Sequence, residues 1–479
     1  MSDNKHFDQL VASGNPVGEV IAVDRWLVRV RGLNPANVHA LVMFEDGSKG
    51  FIHQVLEDQV LVLHLGTKTL SVGTTVVTQH NELVTKVGKD FIGRVVSITG
   101  EPLDGKGPIA ADTVWPVFGE APPLFGRQLL DTQLASGVLV VDALFPIARG
   151  QRMAILGDSK SGKSALAMQL AMNQRDTDVV TIYILIAKRR SDIDMLLQHL
   201  ASAKAMDKTI VVVATMLESL VVNYLAPYIG CSLGEYLWQK CDQDVLVIYD
   251  DLTSHAQAHR EIALMSGTSP GRDSYPGDMF YSHSSLLERA GRLASNHKSL
   301  TAIPIVLTPG GDITAYLPTN LMSITDGQWI MDMQVFRDMF RPAVNVGLSV
   351  TRVGSRGQSS RQKQQAAQVQ RLIAAYTQAQ EYAHFGSELA LQAQNDLARG
   401  QLLYKLFNQK PDESYSLMAQ QLMLDVVFTL AEQEVIDTDT LKQSVNAAAS
   451  QIKSDADFDK VSSELKSKCV INSTTAKVG

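Results

Sequence analysis

The stretch "AILGDSKSGKSALA", from Ala154 to Ala167, sets glycine, lysine and hydroxyl at the spacing GxxxxGK[ST]. An apolar run, "QRMAIL", precedes it and a helix-compatible run, "KSALAMQLAMNQ", follows. In that strand–loop–helix context the glycines let backbone N–H groups converge on phosphate oxygens. Gly157, Asp158, Ser159, Lys160, Ser161, Gly162, Lys163 and Ser164 are therefore the candidate cradle for a nucleotide, ATP or ADP. Lys163 supplies positive charge at the β- and γ-phosphates, and the Ser164 hydroxyl is a ligand for Mg²⁺. "DVLVIYDDL" supplies a second candidate: Asp250 ends an apolar run, where a carboxylate can hold the Mg²⁺ shell from a neighbouring strand.

These motifs speak for binding, and hydrolysis needs one group more, to position or activate water beside the γ-phosphate. The strand after the cradle helix, "TIYILI", runs into Ala187-Lys188-Arg189-Arg190. An ammonium has no lone pair to accept a proton, and its ordinary pKa of about 10.4 keeps it charged near neutrality. Lys188, with Arg189 and Arg190 beside it, thus suits holding a triphosphate rather than cleaving it; Asp192 or Asp194 would offer a carboxylate only from the following turn. His255 and His259 in "HAQAH" have the spacing of a helical metal pair, yet no glutamate follows the first as in HExxH. Cys231, Cys241 and Cys469 contain no CxxC pair, which speaks against a disulfide framework or cysteine zinc site and suits a reducing compartment.

The elements that must position these groups fall into three blocks. At 479 residues, two or three domains are expected, and 45% hydrophobic with 19% charged residues is the composition of a globular protein. Residues 1–75 read as short strands ("GEVIAV", "WLVRVRG", "HALVMF") without a helix, with Asp46-Gly47 as a hairpin turn, and a small β-barrel would bury them. Residues 76–357 alternate helices with the apolar runs "MAILG", "VVTIYILIA", "KTIVVVAT", "DVLVIYD", "LTAIPIVLT" and "MSITDGQWIM". That alternation predicts an α/β domain whose mostly parallel sheet is covered on both faces. Residues 358–479 read as α-helical, ending in a frayed tail at "KCVINSTTAKVG". A net charge of −7 gives no footprint for nucleic acid. "MSDNKHFDQLVASGNP" has no apolar core of a secretory signal, and no run approaches the ~20 apolar residues of a membrane span.

The sequence resembles the alpha subunits of F-type ATP synthases over nearly its whole length. The likeness rests on "GEPLDGKGP", "PIARGQRMAILGDSKSGKSALA", "NYLAPYIGCSLGEY", "VLVIYDDLTS", "SPGRDSYPGDMFYSHSSLLERAGR", "LTAIPIV", "AYLPTNLMSITDGQW" and above all "RPAVNVGLSVTRVGS". In the sister beta subunits the last stretch reads closer to "PAVDPLDSTSR", and the triplet at Ala187–Arg189 carries a catalytic glutamate. The resemblance implies a β-barrel, a RecA-like P-loop domain and a helical domain. It also implies a bound nucleotide that is not turned over, and a place in an alternating alpha3-beta3 ring. Further implied partners are the gamma central stalk and the delta or peripheral stalk. Membrane contact would come only through the ion-translocating sector, on the cytoplasmic face of the inner (plasma) membrane. Arg352 falls where the family carries an arginine finger lent to the neighbouring catalytic site, and Ser349 at a position associated with activity. Phe336, Arg341, Pro342 and Gln409 fall at adenine-side positions.

The chain also departs from that family. Ser159 and Lys160 stand for the cradle's usual Arg-Gln pair, and Lys188 stands for a neutral glutamine. "NQKPDESYS" differs in length around Gln409, the linker before "LTAIPIV" is short, and only about fifteen residues precede the first strand, where the family has a stator-docking helix. Two rival classes make opposite demands. A homohexameric secretion-type ring ATPase needs a carboxylate at Lys188, and a ring helicase or termination factor needs a basic or aromatic face on the barrel.

Overall fold

A computed structural model describes residues 2–66, 68–384, 391–431 and 434–471. The chain forms two compact units, one of Met1–Gln128, Asp178–Leu307 and Thr314–Thr325, the other of Leu129–Thr177, Thr308–Ile313 and Asp326–Gly479.

In the first unit the strands Val17–Asp24, Leu27–Gly32, Leu41–Phe44, Lys49–Val55, Val60–His64 and Thr75–His80 close into a barrel. Their spatial order is first, second, fifth, fourth, third, sixth. Val20, Val28, Val30, Val42, Phe44, Ile52, Val62 and Val76 point inward and fill it, and closure leaves no strand edge unpaired. Asp46-Gly47 makes the expected turn. Gly47 takes the left-handed φ of 83° that the tight turn requires, and Asp46 Oδ1 accepts from Ser48 N at 2.9 Å. Against expectation, a helix precedes the barrel, Ser2–Ala12. Phe7 and Leu10, three residues apart on one helix face, pack on Met43 and Val77 of the barrel. A helix this short depends on such packing rather than on its own propensity, and its apolar signal is correspondingly slight.

The same unit holds five parallel strands, side by side in the order Val95–Ser97, Thr209–Thr215, Val179–Lys188, Asp244–Asp250 and Ser299–Leu307. The helix Leu220–Lys240 lies on this sheet. Gly230 allows the approach, since a Cβ there would strike Ile184 of the sheet. The run "MSITDGQWIM" does not form one strand. Its first half ends the helix Tyr316–Ile324, and only Gly327–Met331 is extended, because Thr325 breaks the helix in an extended conformation.

In the second unit Ala154–Gly157 pairs in parallel with Gly327–Met331, which pairs antiparallel with Val350–Thr351. The helix Lys163–Asn173 follows the first of these strands. Beyond them lie the helices Ser360–His384, Leu391–Phe407, Leu417–Phe428, Thr438–Ala449 and Asp455–Cys469. The expected frayed tail is partly ordered: Lys468 and Cys469 end a helix and Val470–Ile471 pairs with Val435–Ile436, so strands do recur after residue 357. Two-residue strands are too short to leave a periodic signal. Residues 472–479 lie outside the described ones. Among the described residues no helix is long and apolar enough to cross a membrane.

Candidate functional site

The cradle begins where the buried strand Ala154–Gly157 ends. A Cβ at Gly157 would lie 2.6 Å from Ser161 Oγ and 2.7 Å from the Met331 carbonyl, so only glycine fits. Lys160 (φ 62°) and Gly162 (φ 96°) take left-handed conformations that turn the backbone back on itself, with Gly162 capping the helix Lys163–Asn173. No acidic residue stands in that helix's first turn, so its N–H groups and dipole favour an anion. Ser161 is buried, and its Oγ makes no hydrogen bond. Lys163 Nζ donates to the Asp158 carbonyl at 2.7 Å, across the mouth of the loop. Ser159, Lys160 and Ser164 are exposed. A glycine-lined loop, an unsatisfied buried hydroxyl and an open helix N-terminus fit the phosphates of a nucleotide.

The adenine-side candidates lie in the same unit, and one of them is beside the loop: a Cβ at Gly162 would meet the Phe336 ring at 3.9 Å. The Arg341 guanidinium stacks 3.5 Å from the centroid of that ring and donates to the Phe336 and Phe340 carbonyls at 2.6 and 2.8 Å. Phe336 and Arg341 thus pack together, with the half-buried Pro342 next in the chain. Gln409 departs from the role expected of it. It is 1% exposed. Its amide donates to the Gly137 and Glu413 carbonyls, both at 2.7 Å, and accepts from Leu139 N at 3.1 Å. With donor and acceptor both spent on backbone, Gln409 holds its loop in place, and its N–H reaches the Arg341 carbonyl at 2.6 Å.

Asp250 and Lys188 lie in the other unit, at the ends of adjacent parallel strands. Lys188 Nζ stands 2.6 Å from Asp250 Oδ1, an ion-pair contact, and donates to Asp251 Oδ2 at 2.9 Å. Asp250 Oδ2 accepts from Tyr183 OH at 3.0 Å, and Asp251 Oδ1 caps the helix Leu252–Met265 through Ser254 N at 2.7 Å. Burial by itself lowers the Lys188 pKa, but the charges of Asp250 and then Asp251 outweigh it and hold the ammonium above its ordinary value. Burial and the Asp250 charge push Tyr183 up as well, so it stays a neutral donor. Two expectations change here. Lys188, read as a phosphate ligand, spends its charge on two carboxylates. Asp250, read as a Mg²⁺ ligand, already faces a cation. Asp250 Oδ1 nevertheless makes no hydrogen bond, and Ser164, in the cradle, is exposed. In the sequence only the acidic doublet points to Asp251, and nothing local marks Tyr183.

Arg352 follows the strand Val350–Thr351, with an exposed residue surface and its N–H on the Asp326 carbonyl at 2.9 Å. Asp326 is gripped by Arg152, Nη2 to Oδ1 at 2.9 Å and Nε to Oδ2 at 3.0 Å. That bidentate pair, unmarked in the sequence, anchors the Arg352 segment. Ser349 is 5% exposed and its Oγ accepts from Ile330 N at 3.0 Å. Its hydroxyl is committed to the backbone of Gly327–Met331.

His255 Nδ1 and His283 Nε2 lie 3.1 Å apart, and His255 stacks on Tyr224. Burial lowers the pKa of both imidazoles. No group of three or more His, Cys, Asp or Glu among the described residues could hold a metal ion. The three cysteines are buried and free.

Comparison with known proteins adds sequence relationships to this geometry. Residues 137–351 match the ATP synthase alpha/beta family, nucleotide-binding domain, and residues 358–478 match the ATP synthase alpha/beta chain, C terminal domain. The chain is 40% identical over 436 residues to the ATP synthase subunit alpha of Caldanaerobacter subterraneus subsp. tengcongensis, covering 90% of this chain and 85% of that one. It is 42% identical over 399 residues to the ATP synthase subunit alpha of Dehalococcoides mccartyi, covering 82% and 79%.

Proposed function

As a member of the ATP synthase alpha/beta family, and within it of the alpha subunits, the chain is part of an ATP synthase complex, and we propose that it is the non-catalytic, nucleotide-holding subunit of the soluble head. The observation that carries the proposal is Lys188. Where a hydrolase needs a carboxylate to activate water, this chain has an ammonium paired with Asp250 and Asp251.

In this reading Gly157 to Ser164 bind ATP or ADP through backbone N–H groups and the Lys163 charge. Phe336, Arg341 and Pro342 border the adenine, while Gln409 supports the loop behind them. Ser164 is the hydroxyl that would hold Mg²⁺, which supplies charge neutralisation to the phosphates when bound. Arg352, exposed and anchored through Asp326, is the group lent to a neighbouring beta subunit. There a guanidinium delivered in trans would neutralise charge on the transferring phosphoryl group, an effect worth roughly 10³–10⁵ in rate for arginine fingers. Ser349 would keep that segment in register. The partners in this reading are beta subunits alternating with this chain in a ring of six, a gamma central stalk and a peripheral stalk. The complex would sit peripherally on the cytoplasmic face of the membrane, coupling ATP synthesis or hydrolysis to proton transport. The barrel, the nucleotide-binding block to residue 357 and the helical block from residue 358 would be its three domains.

The test is ATP hydrolysis by the purified chain, with bound nucleotide measured on the same sample. Retained nucleotide without turnover, and loss of that nucleotide in Lys163→Ala, is the expected outcome. Robust turnover by the isolated chain, abolished in Lys163→Ala, would instead make it a self-sufficient ring ATPase.

A further inference from the structure

We propose that Asp142 is a positioning residue for the nucleotide site, whose ionised carboxylate clamps the segment Ala135–Gly137 and thereby sets how tightly the chain holds its nucleotide. The inference rests on the nucleotide-binding reading above. Asp142 lies buried on the short helix Leu139–Leu144. Its Oδ1 accepts from Ser136 N at 3.0 Å, and its Oδ2 accepts from Gly137 N at 3.0 Å and from Gln420 Nε2 at 2.8 Å. Among the described residues no charged group pairs with it. The polar side chains lining the small cavity beside it are neutral amides: Gln358, then Gln362 and Gln365 on the helix Ser360–His384, then Gln420 and Gln421 on Leu417–Phe428. Tyr415, whose carbonyl shares the Gln420 amide, turns its hydroxyl to Glu413 instead.

The clamped segment holds the nucleotide site from two sides. The Ala135 carbonyl accepts from Asn173 Nδ2 at 2.8 Å and from Gln174 Nε2 at 2.9 Å, at the far end of the cradle helix Lys163–Asn173. The Gly137 carbonyl accepts from Gln409 Nε2 at 2.7 Å, and Gln409 N donates to the Arg341 carbonyl at 2.6 Å. Arg341 in turn stacks on Phe336, the ring beside Gly162. Gly137 has a left-handed φ of 76°, and a Cβ there would strike Asn173 and Ser414, so the segment has little room to settle elsewhere. An ionised carboxylate accepts on both oxygens, whereas protonation turns one of them into a donor facing N–H groups. The clamp therefore needs the charge. Burial is the largest influence on that charge and pushes the carboxyl up to about 6, against the lowering by Gln420, Ser136 and Gly137.

The experiment is equilibrium dialysis of the full chain with ADP at pH 7.5 and pH 5.5, with circular dichroism on each sample to show that it is folded. At pH 7.5 Asp142→Asn, which fixes the neutral form, should bind ADP about tenfold more weakly than wild type. At pH 5.5 only about a quarter of the wild-type carboxyls stay ionised, and the gap should narrow to about threefold. Titration of the ADP phosphate itself acts on both proteins alike and cancels in this ratio. Equal affinities at pH 7.5, or a ratio that does not change with pH as a role confined to packing predicts, would overturn the inference and leave the nucleotide-binding reading standing. Gln420→Leu keeps the carboxylate but removes one donor, so the pH at which affinity falls should move above 6. Should Asp142→Asn not fold, that variant decides, and a profile like that of wild type would overturn the inference. A folded wild-type chain that binds no ADP at either pH would overturn both readings.

Discussion

At the scale of single residues, chemistry follows from which partner each charged group has found. Lys188 has two carboxylates within 3 Å, those of Asp250 and Asp251. The Arg352 residue surface is exposed, and its backbone is fixed through Asp326 and Arg152. Arg352→Ala in the assembled complex should lower steady-state ATP turnover by roughly 10³ or more while leaving nucleotide bound to this chain unchanged. Turnover within a few-fold of wild type would remove the finger assignment. Ser349→Ala leaves the Ile330 N–H buried without its acceptor, a loss of about 1–3 kcal/mol. Denaturant unfolding should register that loss, with turnover reduced far less than in Arg352→Ala.

At the scale of elements, buried polar contacts tie the helix Leu220–Lys240 to segments distant in the sequence. Glu235, on the helix Leu220–Lys240, is 2% exposed and accepts from Arg289 Nε at 2.8 Å and from Trp115 Nε1 at 3.2 Å. Arg289 is 1% exposed and also donates to the Val117 carbonyl at 2.8 Å. Removing one member of such a pair strands the other charge, so Glu235→Ala should cost about 3–5 kcal/mol. A urea midpoint close to that of wild type would contradict this. Gly157→Ala tests the cradle as an element: the new methyl would crowd Ser161 and the Met331 carbonyl, and nucleotide retention should fall to the level of Lys163→Ala.

At the scale of the whole molecule, a set of buried and half-buried imidazoles links stability to pH. Burial is the first cause lowering His53, to about 4, and His283, to about 3; it also lowers His255 and His259, with Asp278 opposing it at His259. Above the ordinary value of 6.5 these groups are neutral in both the folded and the unfolded chain. Below it the unfolded chain binds protons that the folded one refuses until about pH 4 or lower, so stability falls as pH drops from 6.5. The melting temperature should decline between pH 6.5 and pH 4.5, and His53→Leu should decline less steeply. A wild-type melting temperature that stays flat over this interval would show that other titrations cancel the effect.

Much of this protein is determined by local sequence. The cradle at Gly157–Ser164, the parallel apolar strands and the Asp46-Gly47 turn follow from the backbone freedom of glycine and from periodic burial, which act over a few neighbours. Weak local signals fared worse: the helix Ser2–Ala12 and the pairing of Val470–Ile471 with Val435–Ile436 depend on packing or on a distant strand. The site divides in the same way. That Lys188 is charged and cannot act as a base follows from its side chain alone. That it is spent on Asp250 and Asp251, that Gln409 faces backbone and that Ser349 braces Ile330 was decided by the tertiary structure. Hydrogen bonds and ion pairs between residues 19 to 272 positions apart leave no mark on the sequence around either partner.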